Sequence, residues 1–406
     1  VISGHFCEGE AGVRADITCY EGVPDLKSLF EEVKAGRIEA LDLDCDYAFA
    51  FSDGVVVVLV RDVLGVRPLW YTVHDYCIYF SSLRGELRRR LPVSAEVKAL
   101  NPRELLLFNF REREMRTVRR RFFEALSPPS DFEVAKERLR ELLFDAVAKR
   151  LEQGRRVGVL FSGGVDSTLL AMICKHLGAD FVCYAAGVSW SGTEAEDLRW
   201  ARASAGLHGF ELEEAVVRFD EVEPLVKEVL KILEEPDVVK VGVALPLLAA
   251  CRLAARDVSV VFSGLGSEEL FAGYERHRAA GLERLNEACL EGLLSMHERD
   301  LYRDYVVAAA QGLELRLPFL DRRLVTFALG LPAAWKLHCD IDSSGVVSKY
   351  ILRLVAASVG VNEAVALRRK RAAQYGSGFD KALKKLAKQH GFKRKSDYLM
   401  ALSRQL

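Results

Sequence analysis

Two hydroxyls, a pair of glycines and a carboxylate fall within one short stretch, Ser162-Gly163-Gly164-Val165-Asp166-Ser167. The apolar run Val157-Gly158-Val159-Leu160-Phe161 before it reads as a buried parallel strand. An apolar helix pattern starts from about Ser167. Strand, glycine loop and helix N-terminus in that order make an anion cradle. Backbone N–H groups and the positive helix end point at one spot, and glycine lets a phosphate come close. The Gly-Lys-Ser/Thr ending of a Walker A loop is absent. The plain alternative is a glycine turn between a buried strand and a helix.

A second glycine turn, Ser263-Gly264-Leu265-Gly266, runs into Ser267-Glu268-Glu269. It follows the apolar run Val258-Ser259-Val260-Val261-Phe262, which reads as another core strand. Acids after a glycine turn suit a Mg2+ site beside phosphates. The alternative is a pair of acids favoured by a helix dipole. Ser162 and Ser263 both stand just past strand ends, where ligands bind in open parallel sheets.

The elements that must hold these residues alternate. Val182-Cys183-Tyr184-Ala185-Ala186-Gly187-Val188 reads as a buried strand and Glu194 to Leu207 as a helix. This order predicts an open parallel sheet with helices on both faces. From about Gly281 onward the pattern is helical, and Arg368 to Lys395 is strongly basic. The first segment differs. Tyr47–Phe51 and Val55–Val60, joined by Ser52-Asp53-Gly54, read as a β-hairpin. Leu100 to Arg121 reads as a basic strand pair, and Ala125–Asp131 as a linker. Ser130 or Asp131 caps a helix from Phe132, with Leu139, Leu142, Leu143 and Val147 on one face. Two domains are expected, 1–124 and 132–406.

The loop at Ser162 resembles the pyrophosphate loop, SGGxDS, of enzymes that split ATP into AMP and pyrophosphate. Ser263–Tyr274 is similar to SGEGxDExFxGY, the second signature of the asparagine synthetase family. Gln311–Asp321 resembles its HGxExRxPFLD stretch, and Lys370–Gly378 its late catalytic loop. The resemblance implies that Ser162, Gly163, Gly164 and Ser167 hold phosphates, with Leu160, Val188, Ser263 and Gly264 completing the ATP site. It implies that Asp166 and Glu268 share Mg2+, and that Lys370 neutralises charge on the leaving pyrophosphate. Without the resemblance, Lys370 belongs to a solvated basic stretch with Arg368, Arg369 and Arg371. Glu314 and Arg316 are expected to form a buried pair that fixes a loop. Leu265 departs from the family, which has a glutamate there near the amide-forming chemistry.

The stretch from Tyr47 to Ser82 resembles the later part of the class II glutaminase domain, an N-terminal-nucleophile fold. Its catalytic cysteine and Asn-Gly-Glu motif have no counterpart, since residue one is valine. Cys7 exposed by processing is the alternative nucleophile. The implied fold is a degenerate Ntn-hydrolase-like α+β domain followed by a Rossmann-like pyrophosphate-loop domain with a helical C-terminal part. SGLGSEE, Tyr274-Glu275-Arg276-His277-Arg278 and KRAAQYGSG look closest to the asparagine synthetase domain-containing branch, whose glutaminase also lacks its nucleophile.

The expected function is therefore an ATP-dependent amide-forming ligase. It adenylates a carboxylate, aspartate by default, and then transfers ammonia or an amine without hydrolysing glutamine. The alternatives are a non-catalytic ATP-binding scaffold and a tRNA-modifying pyrophosphate-loop enzyme. A net charge of -1 supplies no global pull toward nucleic acid or membrane. Neither is an expected partner, and a homodimer stays open. No apolar run is long enough to span a bilayer and no signal peptide is visible. Nine cysteines lack C-x-x-C spacing, and their odd number argues against a full disulfide framework. Buried thiols in a cytoplasmic enzyme are the expectation.

Overall fold

A computed structural model describes residues 1–127, 129–190, 193–340, 345–368 and 373–406. The chain forms two units. One is Val1–Phe123 with Leu294–Tyr305, and the other is Glu124–Leu293 with Val306–Leu406.

In the first unit β1 (Ser3–Phe6) precedes β2 (Ala11–Cys19) and α1 (Leu26–Lys34). There follow β3 (Cys45–Asp53), β4 (Val56–Arg61), β5 (Trp70–His74) and β6 (Cys77–Ser81). Then come α2 (Arg84–Arg90), β7 (Lys98–Ala99), β8 (Glu104–Asn109) and β9 (Glu114–Arg119). The strands form two sheets, ordered β1-β6-β5-β7 and β2-β3-β4-β8-β9. The expected hairpin is β3–β4, paired antiparallel, and the basic strand pair is β8–β9.

Strand β3 is covered on both faces, which explains its unbroken apolar run. Ala48 and Ala50 join one core cluster with Ile78 and Phe80. Tyr47, Phe49 and Phe51, one residue out of phase, join another with Leu29, Phe30 and Val33 of α1. After β4, Asp62 closes the Arg61–Arg67 loop. Its carboxylate accepts the N–H groups of Gly65 at 2.7 Å, Val66 at 2.9 Å and Arg67 at 2.9 Å.

Two findings here depart from the sequence reading. Cys7–Cys77 and Cys19–Cys45 are disulfides, not free thiols. Register explains both: Phe6 faces Ile78 one step from the first bridge, and Cys19 faces Cys45 directly. The Cys7 thiol is therefore tied up, which counts against it as a nucleophile. Leu294–Tyr305, read from sequence as part of the second domain, belongs to the first unit. Tyr305 donates to Asp16 at 2.7 Å, and a side chain at Gly65 would collide with His297.

The second unit opens with α3 (Phe132–Ala148), capped by Asp131, whose carboxylate accepts the Val134 N–H at 2.9 Å. Leu139, Leu142, Leu143 and Val147 are buried, as their spacing predicts. The alternation then runs β10 (Val157–Leu160), α4 (Val165–His176), β11 (Phe181–Trp190) and the short β12 (Thr193–Glu194). It continues through α5 (Glu196–His208), β13 (Leu212–Arg218), α6 (Phe219–Leu233), α7 (Val238–Ala254) and β14 (Val260–Phe262). Next are α8 (Ser267–Leu270), α9 (Glu275–Met296, bent at Gly281), α10 (Tyr302–Ala310) and β15 (Glu314–Arg316).

Strands β13-β11-β10-β14-β15 lie side by side, and every neighbouring pair is parallel. Helices α4, α5 and α7 pack on β10 and β11. The remaining helices are α11 (Arg322–Gly330), α12 (Ala333–Lys336), α13 (Tyr350–Ser358), α14 (Glu363–Ala366), α15 (Ala373–Gly376), α16 (Phe379–Gln389) and α17 (Lys395–Ser403). An antiparallel pair, β16 (Leu337–Asp340) and β17 (Gly345–Ser348), interrupts them where only helix was expected. No helix among the described residues is long and apolar enough to cross a membrane.

Candidate active site at the carboxyl edge of the parallel sheet

The loop between β10 and α4 requires glycine at 163. That residue has φ of +63°, and a Cβ there would stand 2.5 Å from the Trp200 carbonyl oxygen. The neighbour is backbone and cannot move aside. Ser162 donates its N–H to Ser167 Oγ at 3.3 Å, and the Ser167 hydroxyl donates to the Gly164 carbonyl at 3.3 Å. Gly164 is the N-cap of α4 and offers no side-chain cap. The helix's leading amides are therefore left for an anion. Leu160 ends the strand below them.

The second glycine turn lies against the first. A Cβ on Gly264 would come within 2.9 Å of Asp166 Cβ. Ser263 donates its N–H to the Arg316 carbonyl at 3.2 Å, and its hydroxyl oxygen accepts the Leu265 N–H at 3.3 Å. The two acids after this turn diverge, as neighbours on a helical turn must. Glu269 is buried with Arg276 at 3.8 Å, while Glu268 faces Asp166's cation.

That cation is Lys349, a residue the sequence reading missed. Its ammonium donates to Asp166 Oδ1 at 2.8 Å and Oδ2 at 2.9 Å, and to Ser267 Oγ at 3.1 Å. It also sits 2.9 Å from Glu268 Oε1. Asp166 and Lys349 are both only 3% exposed. Lys349 has φ of +57°, uncommon for a residue with a Cβ, and its N–H donates to the Phe271 carbonyl at 3.1 Å. Arg353, one turn along α13, is also buried. Burial lowers its pKa, against the attraction of Asp166 and Glu268. No spacing rule marks Lys349. The only sequence hint is one basic residue at the head of an apolar helix.

Two carboxylates converging on one centre with hard oxygen donors are the type of set that holds a divalent cation such as Mg2+. Asp166 and Glu268 are thus brought together as the sequence resemblance implies, with Lys349 between them.

Lys370 lies outside the described residues. Of the described residues on either side of it, Arg368 reaches the Ser162 loop and Ser377 reaches β11. On one side, Arg368 donates to the Ser162 carbonyl at 3.1 Å and Asp197 at 3.2 Å, with its guanidinium 4.5 Å from the Trp200 ring centroid. Read from sequence as part of a solvated stretch, Arg368 is a buried anchor instead. On the other side, the Val188 N–H donates to the Ser377 carbonyl at 2.8 Å. A side chain at Gly376 would run into the Asp197 carboxylate. Glu314 and Arg316 do pair, at 2.9 Å, and Arg316 also donates to the Arg150 carbonyl at 2.6 Å and pairs with Glu152. This network ties β15 to the turn before β10.

Fold and site together define an α/β protein whose parallel sheet carries a glycine loop at a helix N-terminus and a carboxylate pair at its carboxyl edge. The asparagine synthase family model matches residues 138–288 and 279–404. The chain belongs to the asparagine synthase family. It is 32% identical to a putative glutamine-hydrolysing asparagine synthetase of Methanocaldococcus jannaschii, covering 93% of this chain and 77% of that one. It is 32% identical to the asparagine synthetases of Gallus gallus and Rattus norvegicus, covering 82% and 77% of this chain. It spans 64% and 59% of the length of those two relatives. A Bacillus subtilis glutamine PRPP amidotransferase aligns at 14% identity and a TM-score of 0.24, over 49% of this chain and 52% of that one. That likeness is too low to bear on fold or function.

Proposed function

We propose that the chain is an ATP-dependent amide-forming ligase. A substrate carboxylate, aspartate by default, attacks the α-phosphorus of ATP, and pyrophosphate leaves. Ammonia or an amine then attacks the acyl carbon, and AMP leaves. The observation that carries this reading is the cradle at Ser162–Ser167 with the carboxylates of Asp166 and Glu268 converging beside it.

In this reading the amides of Gly163, Gly164 and the start of α4, with the hydroxyls of Ser162 and Ser167, bind the phosphates. Leu160, Val188, Ser263 and Gly264 line the rest of the nucleotide site. Asp166 and Glu268 hold Mg2+, which supplies charge neutralisation on phosphate oxygens. Lys370 stabilises the developing negative charge, a role supported by Arg368, two residues before it in sequence, which bonds the Ser162 carbonyl.

The first unit is read as a glutaminase-like scaffold in which Cys7, bridged to Cys77, is not the nucleophile. Its two disulfides sit awkwardly with the cytoplasmic location expected from sequence. The cytosol keeps most thiols reduced, and hyperthermophile proteins are the known exception. An ATP-binding protein without turnover is the second reading, favoured by Leu265 where the family carries a glutamate.

The test is pyrophosphate release from ATP and Mg2+ with ammonium and a panel of carboxylates, with products weighed by mass spectrometry. The expected result is release with one class of acid and a product amide. Tight ATP binding with no release for any acid would overturn the ligase reading in favour of the second.

A further inference from the structure

The contacts of Lys349 point beyond the ligase reading, on which this inference rests for the identity of the metal pair. Four oxygens surround its ammonium: both of Asp166, one of Glu268 and the Ser267 hydroxyl. An ammonium has only three protons to donate. Its capacity is used up, and it takes the space between the two carboxylates.

The backbone leaves it little freedom. Lys349 is held in the left-handed region by its own N–H bond to Phe271. Gly273 is packed so closely that a Cβ there would overlap both Glu268 and the Lys349 side chain.

We infer that Lys349 closes the Asp166–Glu268 pair to free divalent ions, so that the pair takes a metal only when a polyphosphate arrives with it. The charge arithmetic carries this. Two carboxylates face one ammonium, with the Arg353 guanidinium close behind. Counted over the described residues, these four charges already sum to zero without a metal. A doubly charged ion added alone would meet the ammonium in a poorly screened interior, and the carboxylates that attract it are already balanced by that ammonium and the guanidinium. Phosphate oxygens change the balance. They offer the ammonium a new partner and complete the ion's oxygen shell. Lys349 then turns from the carboxylates to the phosphates, and the carboxylates are freed for the metal. The device makes metal and nucleotide bind as one unit and keeps the carboxylates from trapping a bare ion.

The experiment uses Mn2+ as the probe, with free ion followed by electron paramagnetic resonance on the full chain without nucleotide. Wild type should show no stoichiometric site below about 1 mM, whereas Lys349→Met should gain one at least about tenfold tighter. Adding Glu268→Gln to that variant should remove the gain. A tight Mn2+ site in nucleotide-free wild type, or no gain in a folded Lys349→Met variant, overturns the inference. Should the Met variant not fold, wild type decides. Mn2+ retained with a non-hydrolysable ATP analogue and not without it supports the device, and equal retention sinks it. Because no turnover is read, the ligase reading can fail its pyrophosphate assay while this result stands, and the reverse also holds.

Discussion

The two units use buried charge and sulfur in different ways. In the first, two neighbouring buried charges, Asp62 and Arg61, close on backbone. Asp62 accepts three N–H groups of its own loop, and Arg61 donates to the carbonyls of Gly65 at 2.5 Å and Leu100 at 3.2 Å. In the second, Asp166 and Glu268 close on a side chain, Lys349, brought from far along the chain. A charge bonded to backbone within its own loop is locked by the fold. A charge bonded to the end of a flexible lysine can exchange its partner. The sulfur differs as well. The four paired cysteines, Cys7, Cys77, Cys19 and Cys45, are all in the first unit. Cys174, Cys183, Cys251 and Cys289 in the second are buried and form no disulfide among the described residues. Burial raises the Cys174 thiol to about 12, so these behave as small apolar fillers. The difference teaches that the first unit's Asp62 loop is closed by its own backbone, while the second's carboxylate pair depends on a side chain from a distant part of the sequence.

Reduction should produce the largest separation between the units. The bridges span 70 and 26 residues of sequence. In the chain-entropy treatment such loops are worth about 4 and about 3.5 kcal/mol. Calorimetry with and without reductant should show the first unit's transition falling sharply while the second unit's stays in place. Equal shifts in both would break the contrast.

A smaller effect is expected from Gly163→Ala. The new methyl group meets the Trp200 carbonyl in a left-handed turn, so the loop must move. Nucleotide affinity should fall by about 100-fold, near 2.7 kcal/mol, with the first unit's melting unchanged. Titration calorimetry with an ATP analogue reads it, and unaltered affinity would remove the cradle from the account.

The smallest effect concerns Lys336, whose nitrogen is fully buried and has no hydrogen-bond partner among the described residues. Burial lowers its pKa to about 8, opposed only by Cys289. The unfolded chain therefore binds this proton more tightly than the folded one. The cost of burying the charge is complete below pH 8 and disappears as pH rises toward the ordinary lysine value. Lys336→Met should stabilise the second unit by about 2 kcal/mol at pH 7, a gain that shrinks as pH rises above about 8 and vanishes near the ordinary lysine value. Denaturant melts across that range check it. A destabilised variant would mean that the ammonium has a structural partner.

Much of the site was legible because its demands are local. Strand, glycine loop and helix stand next to one another in sequence, and Gly163 answers a backbone requirement written within a few residues. The β3–β4 hairpin and the Asp131 cap are of the same kind. The disulfides were not legible from cysteine spacing, because pairing follows strand register. Arg368 looked like one more residue in a basic run, and only the folded chain sets it against Trp200 and the Ser162 carbonyl. The return of Leu294–Tyr305 to the first unit was equally out of reach, since helical periodicity says nothing about which core a helix joins.

The sequence by itself determined where the proposed phosphate loop lies, because glycine at a left-handed position and open helix amides are properties of adjacent residues. Tertiary structure alone decided which cation faces Asp166. Lys349 lies 183 residues away, and its direction is set by the packing of α13, Phe271 and Gly273, which no local pattern encodes.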